Sequence, residues 1–159
     1  MVQRNLITIT AVISAAAVAI TLRSPWAEMD EAYGRTVRRV RLATFLLTAG
    51  LLTMAMLALG PEWESPGAGV MLARGFLGWL GITLIARQVL GDSRGWWVSI
   101  AWAGLSVVAG DSWRVHYPPW AWSMQAAGHP WARLLSIMFL LIGIGTLIRS
   151  PIRLRDGDG

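Results

Sequence analysis

The chain has 159 residues, 55% of them hydrophobic and only 14% charged, where an average soluble domain carries about 25% charged residues. With no cysteine, disulfides, thiolate metal sites and cysteine nucleophiles are excluded. All fourteen basic residues are arginine, so the phosphate-binding lysine of a P-loop and Schiff-base chemistry are excluded as well. The net charge of +5 raises nucleic acid as a partner, but the arginines stand beside long apolar blocks. That placement favours a membrane-topology signal over a nucleic-acid face.

A bilayer core of roughly 30 Å requires about 20 helical residues. The first apolar block, 5–22, carries no charge and predicts a membrane span. Its Ala17-Val18-Ala19 sequence also fits a signal-peptide cleavage site.

Residues 24–34 (SPWAEMDEAYG) predict a short amphipathic helix on the cytoplasmic side. Serine suits its N-cap, proline its first turn and glycine its exit. Trp26, Met29 and Tyr33 share one face, and Glu28, Asp30 and Glu31 supply charge. Two roles remain open for this segment: lying on the inner leaflet, or docking a cytosolic partner through those six residues. Arg35, Arg38, Arg39 and Arg41 then lead into a second span at 42–61.

The third block, 67–90, contains Arg74-Gly75-Phe76-Leu77-Gly78-Trp79-Leu80-Gly81. Gly75, Gly78 and Gly81 form a narrow strip that lets another helix approach. Arg74 sits about two turns into the block, where a guanidinium must snorkel, pair or face water. Glu62 and Glu64 are its candidate partners, and Arg87 near the other end is a candidate interfacial anchor. A fourth span covers 95–110 and a fifth 130–148, with uncharged cores reaching only about 23–24 Å.

Between them, residues 111–131 read DSWRVHYPPWAWSMQAAGHPW. Trp113, Tyr117, Trp120, Trp122 and Trp131 suit the headgroup layer. Pro119 predicts the start of a short helix closed by Gly128, with tryptophan and methionine half-sunk at the outer surface. His116 and His129 are the only histidines, thirteen positions apart. This is too sparse a set for structural zinc or for haem held between spans. Asp111 and His116 lack a nucleophile at recognisable spacing. No catalytic residue, cofactor or metal is therefore assigned.

Placing the loop after the first span in the cytoplasm leaves ten arginines inside and four outside. The expected architecture is all-α: one polytopic transmembrane domain over 1–159, with five membrane helices, the N-terminus outside and the C-terminus cytoplasmic.

The stretches RGFLGWLGITLIARQVLGDSRGWWVSIAWAGLSVVAG (74–110) and PPWAWSMQAAGHPWARLLSIMFLLIGIGTLIR (118–149) resemble the small membrane subunits of type-two ABC exporters of actinomycetes. The resemblance covers under half the chain. It implies a permease subunit whose separate ATPase docks on the helix at 26–33, with 111–131 as an outward lid. Such permeases usually have six spans and a longer chain, so five spans imply an accessory subunit, or a protein without an ATPase. The expectation is thus a non-enzymatic membrane subunit of a transport complex, in a homo- or hetero-oligomer within the bilayer and without nucleic acid. Two alternatives stand beside it. One is a holin-like pore built on the glycine strip, and the other is a structural subunit of a larger membrane complex.

Overall fold

The computed structural model describes residues 2–20, 27–59, 67–91, 94–110 and 118–149. Side chains are described for all of these except 2–4, 27–38, 41, 59 and 109–110. Among the described residues the chain is all-helical, as its apolar blocks predict. The helices are α1 (Val2–Ile20), α2 (Ala27–Leu59), α3 (Ala68–Leu90), α4 (Gly95–Gly110) and α5 (Pro130–Arg149). A short 3-10 segment, Pro119–Met124, lies between α4 and α5.

α3 is the hub. It touches α1, α2, α4, α5 and the 3-10 segment, whereas among the described residues α2 reaches only α1 and α3. Two helices, α3 and α5, are long and apolar enough to cross a membrane. In their apolar windows 83% of α3 is buried but only 17% of α5, so α3 forms the core and α5 lies on the outside. The apolar stretches Asn5–Ile20, Leu42–Ala58 and Gly95–Val108 are shorter.

The outer faces of α1 and α5 are apolar. α1 buries Ile7, Ala11, Val12, Ala15, Ala16, Val18 and Ala19 and exposes Leu6, Ile9, Ile13 and Ile20. The residues that α5 buries are Ala132, Ser136 and Gly143, while Leu134, Ile137, Leu141 and Ile142 are exposed. On α5, therefore, small residues make the closest contacts and large apolar ones form the outer surface, a pattern that lets helix backbones approach closely.

α2 departs from expectation. The short helix at 24–34 and the span at 42–61 form one continuous α-helix from Ala27 to Leu59, and Gly34 does not end it. An interior glycine costs about 1 kcal/mol relative to alanine. The good helix formers around it, including four arginines between 35 and 41, outweigh that cost. At 1.5 Å per residue α2 is about 50 Å long. The expected N-cap at Ser24, together with Trp26, lies outside the described residues.

Glycine geometry fixes both ends of α3. Gly67 precedes it with φ 81°, a left-handed conformation that favours glycine. A Cβ there would also lie 2.8 Å from the Ala127 Cβ. Gly91 follows α3 with φ 83°, and its N–H donates to the Arg87 carbonyl at 2.9 Å, which turns the chain towards α4. Between α3 and α4, the Thr83 and Ser99 hydroxyls lie 2.7 Å apart. Thr83 also bonds to the Trp79 carbonyl at 2.8 Å. Both hydroxyls are thus satisfied inside an apolar interface.

Candidate functional site

The 3-10 segment lies against α1, α3, α4 and α5, and the turn after it, through residue 129, lies against Arg74 of α3. Pro119 occupies the first turn, where its missing N–H costs nothing. Ala121 departs from helical geometry at φ −91°, ψ 35°, so the segment is kinked. The kink separates the two tryptophans expected to share the outer surface. Trp120 is 36% exposed, but Trp122 is 1% exposed. Met124 is equally buried.

Trp122 and Met124 are therefore not half-sunk among headgroups; they are inside the bundle. The reason is a notch. Gly78 has no side chain, and a Cβ there would collide with the six-membered ring of Trp122. The indole occupies that notch, 5.4 Å from the Trp79 ring and 6.1 Å from Phe139 of α5. On the α4 side, the Trp102 indole N–H donates to the Trp120 carbonyl at 3.2 Å. We call residues 118–129 the plug.

Arg74 holds the plug from below. It is 6% exposed, which removes snorkelling as its solution. Its Nη1 donates to the Ala126 carbonyl at 2.8 Å, and its Nη2 donates to the carbonyls of Gln125 at 2.6 Å and Trp122 at 3.3 Å. A carbonyl oxygen has two lone pairs. The Trp122 and Ala126 carbonyls, which already accept from the Gln125 and His129 N–H groups at 3.3 and 3.0 Å, therefore keep acceptor capacity, as does that of Gln125. The planar guanidinium, with its several fixed donors, gathers all three at once. Glu62 and Glu64, the expected partners, lie outside the described residues.

The other arginines near the helix ends follow the same rule. Arg87 Nη1 donates to the Ala19 carbonyl at 2.9 Å and so caps the C-terminus of α1. Arg133 Nε donates to the Ala127 carbonyl at 3.1 Å.

The glycine strip is occupied within the chain. Gly75 faces the Ala11 Cβ of α1, Gly78 faces Trp122, and Gly81 faces the backbone of Phe139 and Leu140. Trp131 is exposed at the start of α5, while Trp113, His116 and Tyr117 lie outside the described residues. Glu28, Met29, Asp30, Glu31 and Tyr33 stand on the N-terminal part of α2. Among the described residues no three His, Asp or Glu side chains come together as a metal site requires. Aromatic content alone marked 111–131; the buried hold of Arg74 on its carbonyls has no side-chain signature in the sequence. No family model matches the chain, and no curated protein or solved structure matches it.

The two tryptophans should respond differently to truncation. Trp122→Ala is expected to destabilise the fold by about 3 kcal/mol, in the range of large-to-small core changes. Trp120→Ala is expected to cost less than about 1 kcal/mol, as exposed positions do. Thermal unfolding of the two variants in detergent measures the contrast, and equal losses would remove the notch as the reason for the plug's position.

Proposed function

We propose that the chain is a non-enzymatic, multi-pass membrane subunit of an exporter-type transport complex. Five helices cross the bilayer, with the N-terminus outside and the C-terminus in the cytoplasm. The first part of α2 engages a cytosolic ATPase.

The continuity of α2 carries this proposal. Its apolar stretch, Leu42–Ala58, matches most of a bilayer core of about 30 Å. The fifteen residues before it, 27–41, extend about 22 Å further. An unbroken helix favours projection into the cytoplasm over lying flat on the leaflet. Glu28, Asp30 and Glu31 on that extension are suited to a partner.

The large apolar residues that α1 and α5 expose support the membrane setting, since large exposed apolar surface is rare on soluble monomers. The buried Ala19, with its carbonyl bound by Arg87, supports α1 as a retained span. The pore alternative loses one of its two motives, because Gly75, Gly78 and Gly81 already pack within the chain; the short spans remain the other.

Purification from native membranes in mild detergent is expected to bring down an ATPase at near-stoichiometric level. The charge reversals Glu28→Arg and Glu31→Arg should release it while leaving insertion intact. Absence of an ATPase, or terminal tags reporting the same compartment, would overturn the proposal.

A further inference from the structure

The plug region contains buried polar groups that the protein does not satisfy. Among the described residues, the unpartnered atoms on the plug and on the α3 side chains against it are Arg74 Nε, the indole nitrogens of Trp79 and Trp122, the Ser123 hydroxyl and Gln125 Oε1. Four of these five carry a hydrogen, and three of them (one guanidinium nitrogen and two indole nitrogens) can only donate. Native interiors leave few polar groups unpaired, and a surplus of one kind points to a partner of the other kind. Here the missing partner is an acceptor.

Charge points the same way. Arg74 and Arg133 donate to consecutive carbonyls, those of Ala126 and Ala127. Those consecutive carbonyls hold the two guanidiniums against one turn of the plug. Carbonyl dipoles satisfy hydrogen bonds, but they carry no net charge with which to neutralise two guanidiniums. Arg133 is itself exposed, so the pair is open to solvent on one side and buried on the other. Planar guanidiniums match carboxylate and phosphate oxygens better than any other side chain does.

We propose that Arg74 and Arg133 form an oxyanion site at the plug end of the bundle, taking a carboxylate or phosphate group. The carbonyls of Trp122, Gln125 and Ala126 stand where ligand oxygens bond to Arg74, and the ligand displaces part of that set. The site gives the transport subunit a ligand class on its outer side and rests on that topology for its physiological meaning. Its chemistry requires no ATPase.

The test uses the purified full chain in neutral detergent. Sodium acetate and sodium phosphate are titrated against sodium chloride at constant ionic strength, followed by calorimetry and thermal unfolding. A parallel series places the protein in nanodiscs of phosphatidylcholine with or without phosphatidylglycerol, free of added acetate or phosphate. Saturable stabilisation by acetate or phosphate supports a soluble oxyanion. Stabilisation only by phosphatidylglycerol supports the same site filled by a lipid headgroup.

Arg133→Gln, at an exposed position, should retain the fold and lower affinity about tenfold or more, as loss of a charge-assisted contact implies. The inference is overturned if none of the three probes acts on the wild type, or if Arg133→Gln binds equally well. It is also overturned if a response appears only after Glu62→Gln, Glu64→Gln and Asp111→Asn together, since the chain's own carboxylate then fills the site. Tag topology and ATPase recovery are measured separately. A protein that inserts correctly yet binds no oxyanion sinks this inference alone, and a missing ATPase leaves the binding result standing.

Discussion

Arg74→Met is expected to loosen the plug and lower stability by about 3 kcal/mol. Hydrogen bonds to charged groups contribute roughly 1.5–3 kcal/mol each, and Arg74 makes three, to the carbonyls of Trp122, Gln125 and Ala126. The sum is not realised in full, because methionine also removes the cost of holding a cation at 6% exposure. What remains is a Gln125 carbonyl without its donor, with the Trp122 and Ala126 carbonyls left only their bonds from the Gln125 and His129 N–H groups. The backbone of 122–126 must move towards water to make up the loss. Trp122 would then leave the Gly78 notch. Arg74→Lys should recover only part of the loss, since one ammonium cannot reproduce the planar fork across three acceptors. Amide exchange of residues 121–126 in detergent, read beside the unfolding temperature, is the direct measurement. Faster exchange confined to the plug is the expected pattern, and wild-type exchange in Arg74→Met would show that the carbonyl bonds do not hold it.

The positions of the helices were legible because apolar blocks in this chain are long and bounded by arginine, proline and glycine. Gly34 misled, since glycine at the end of an amphipathic stretch looks like a stop, yet the arginines after it continue the helix to Leu59. The 75–78–81 spacing announced close packing but not its partners. Those partners are three different elements, α1, the plug and α5, and no local pattern encodes which helix lies opposite which glycine. Arg74 was legible as an anomaly, a guanidinium deep in an apolar block. Its acceptors were not, because backbone carbonyls are present at every residue and only the fold selects three of them. The division between Trp120 and Trp122 depends on the kink at Ala121, which a regular helical periodicity does not anticipate.

The second large effect concerns how α5 is attached. Among its described side chains only Ala132, Ser136 and Gly143 are buried, with Leu135, Phe139, Leu140 and Leu147 packed partly against the core, so small residues set the closest approach of the helix to α3. The contact is closest where Gly81 meets Gly143. A Cβ on Gly143 would lie 2.7 Å from the Gly81 carbonyl oxygen, and one on Gly81 would run into the Phe139 and Leu140 backbone. Backbone cannot rotate aside as a side chain can, so the helices must separate to admit even one methyl group. In the bilayer setting proposed for this chain, packing contacts hold helices together, and the helices gain little from hiding apolar surface. Separation therefore forfeits most of what keeps α5 in place. Gly81→Leu is expected to cost about 3 kcal/mol, the upper part of the usual range for overpacking. Gly81→Ala should cost less, and Gly104→Ala, inside α4 with open space around its Cβ, should cost nothing and gain up to about 1 kcal/mol of helix propensity. The order of the three unfolding temperatures is the test. If Gly81→Leu matched Gly104→Ala, α5 would owe its position to the loop and to Phe139, with its ring 6.1 Å from Trp122, and the plug would be what fastens α5 to the bundle.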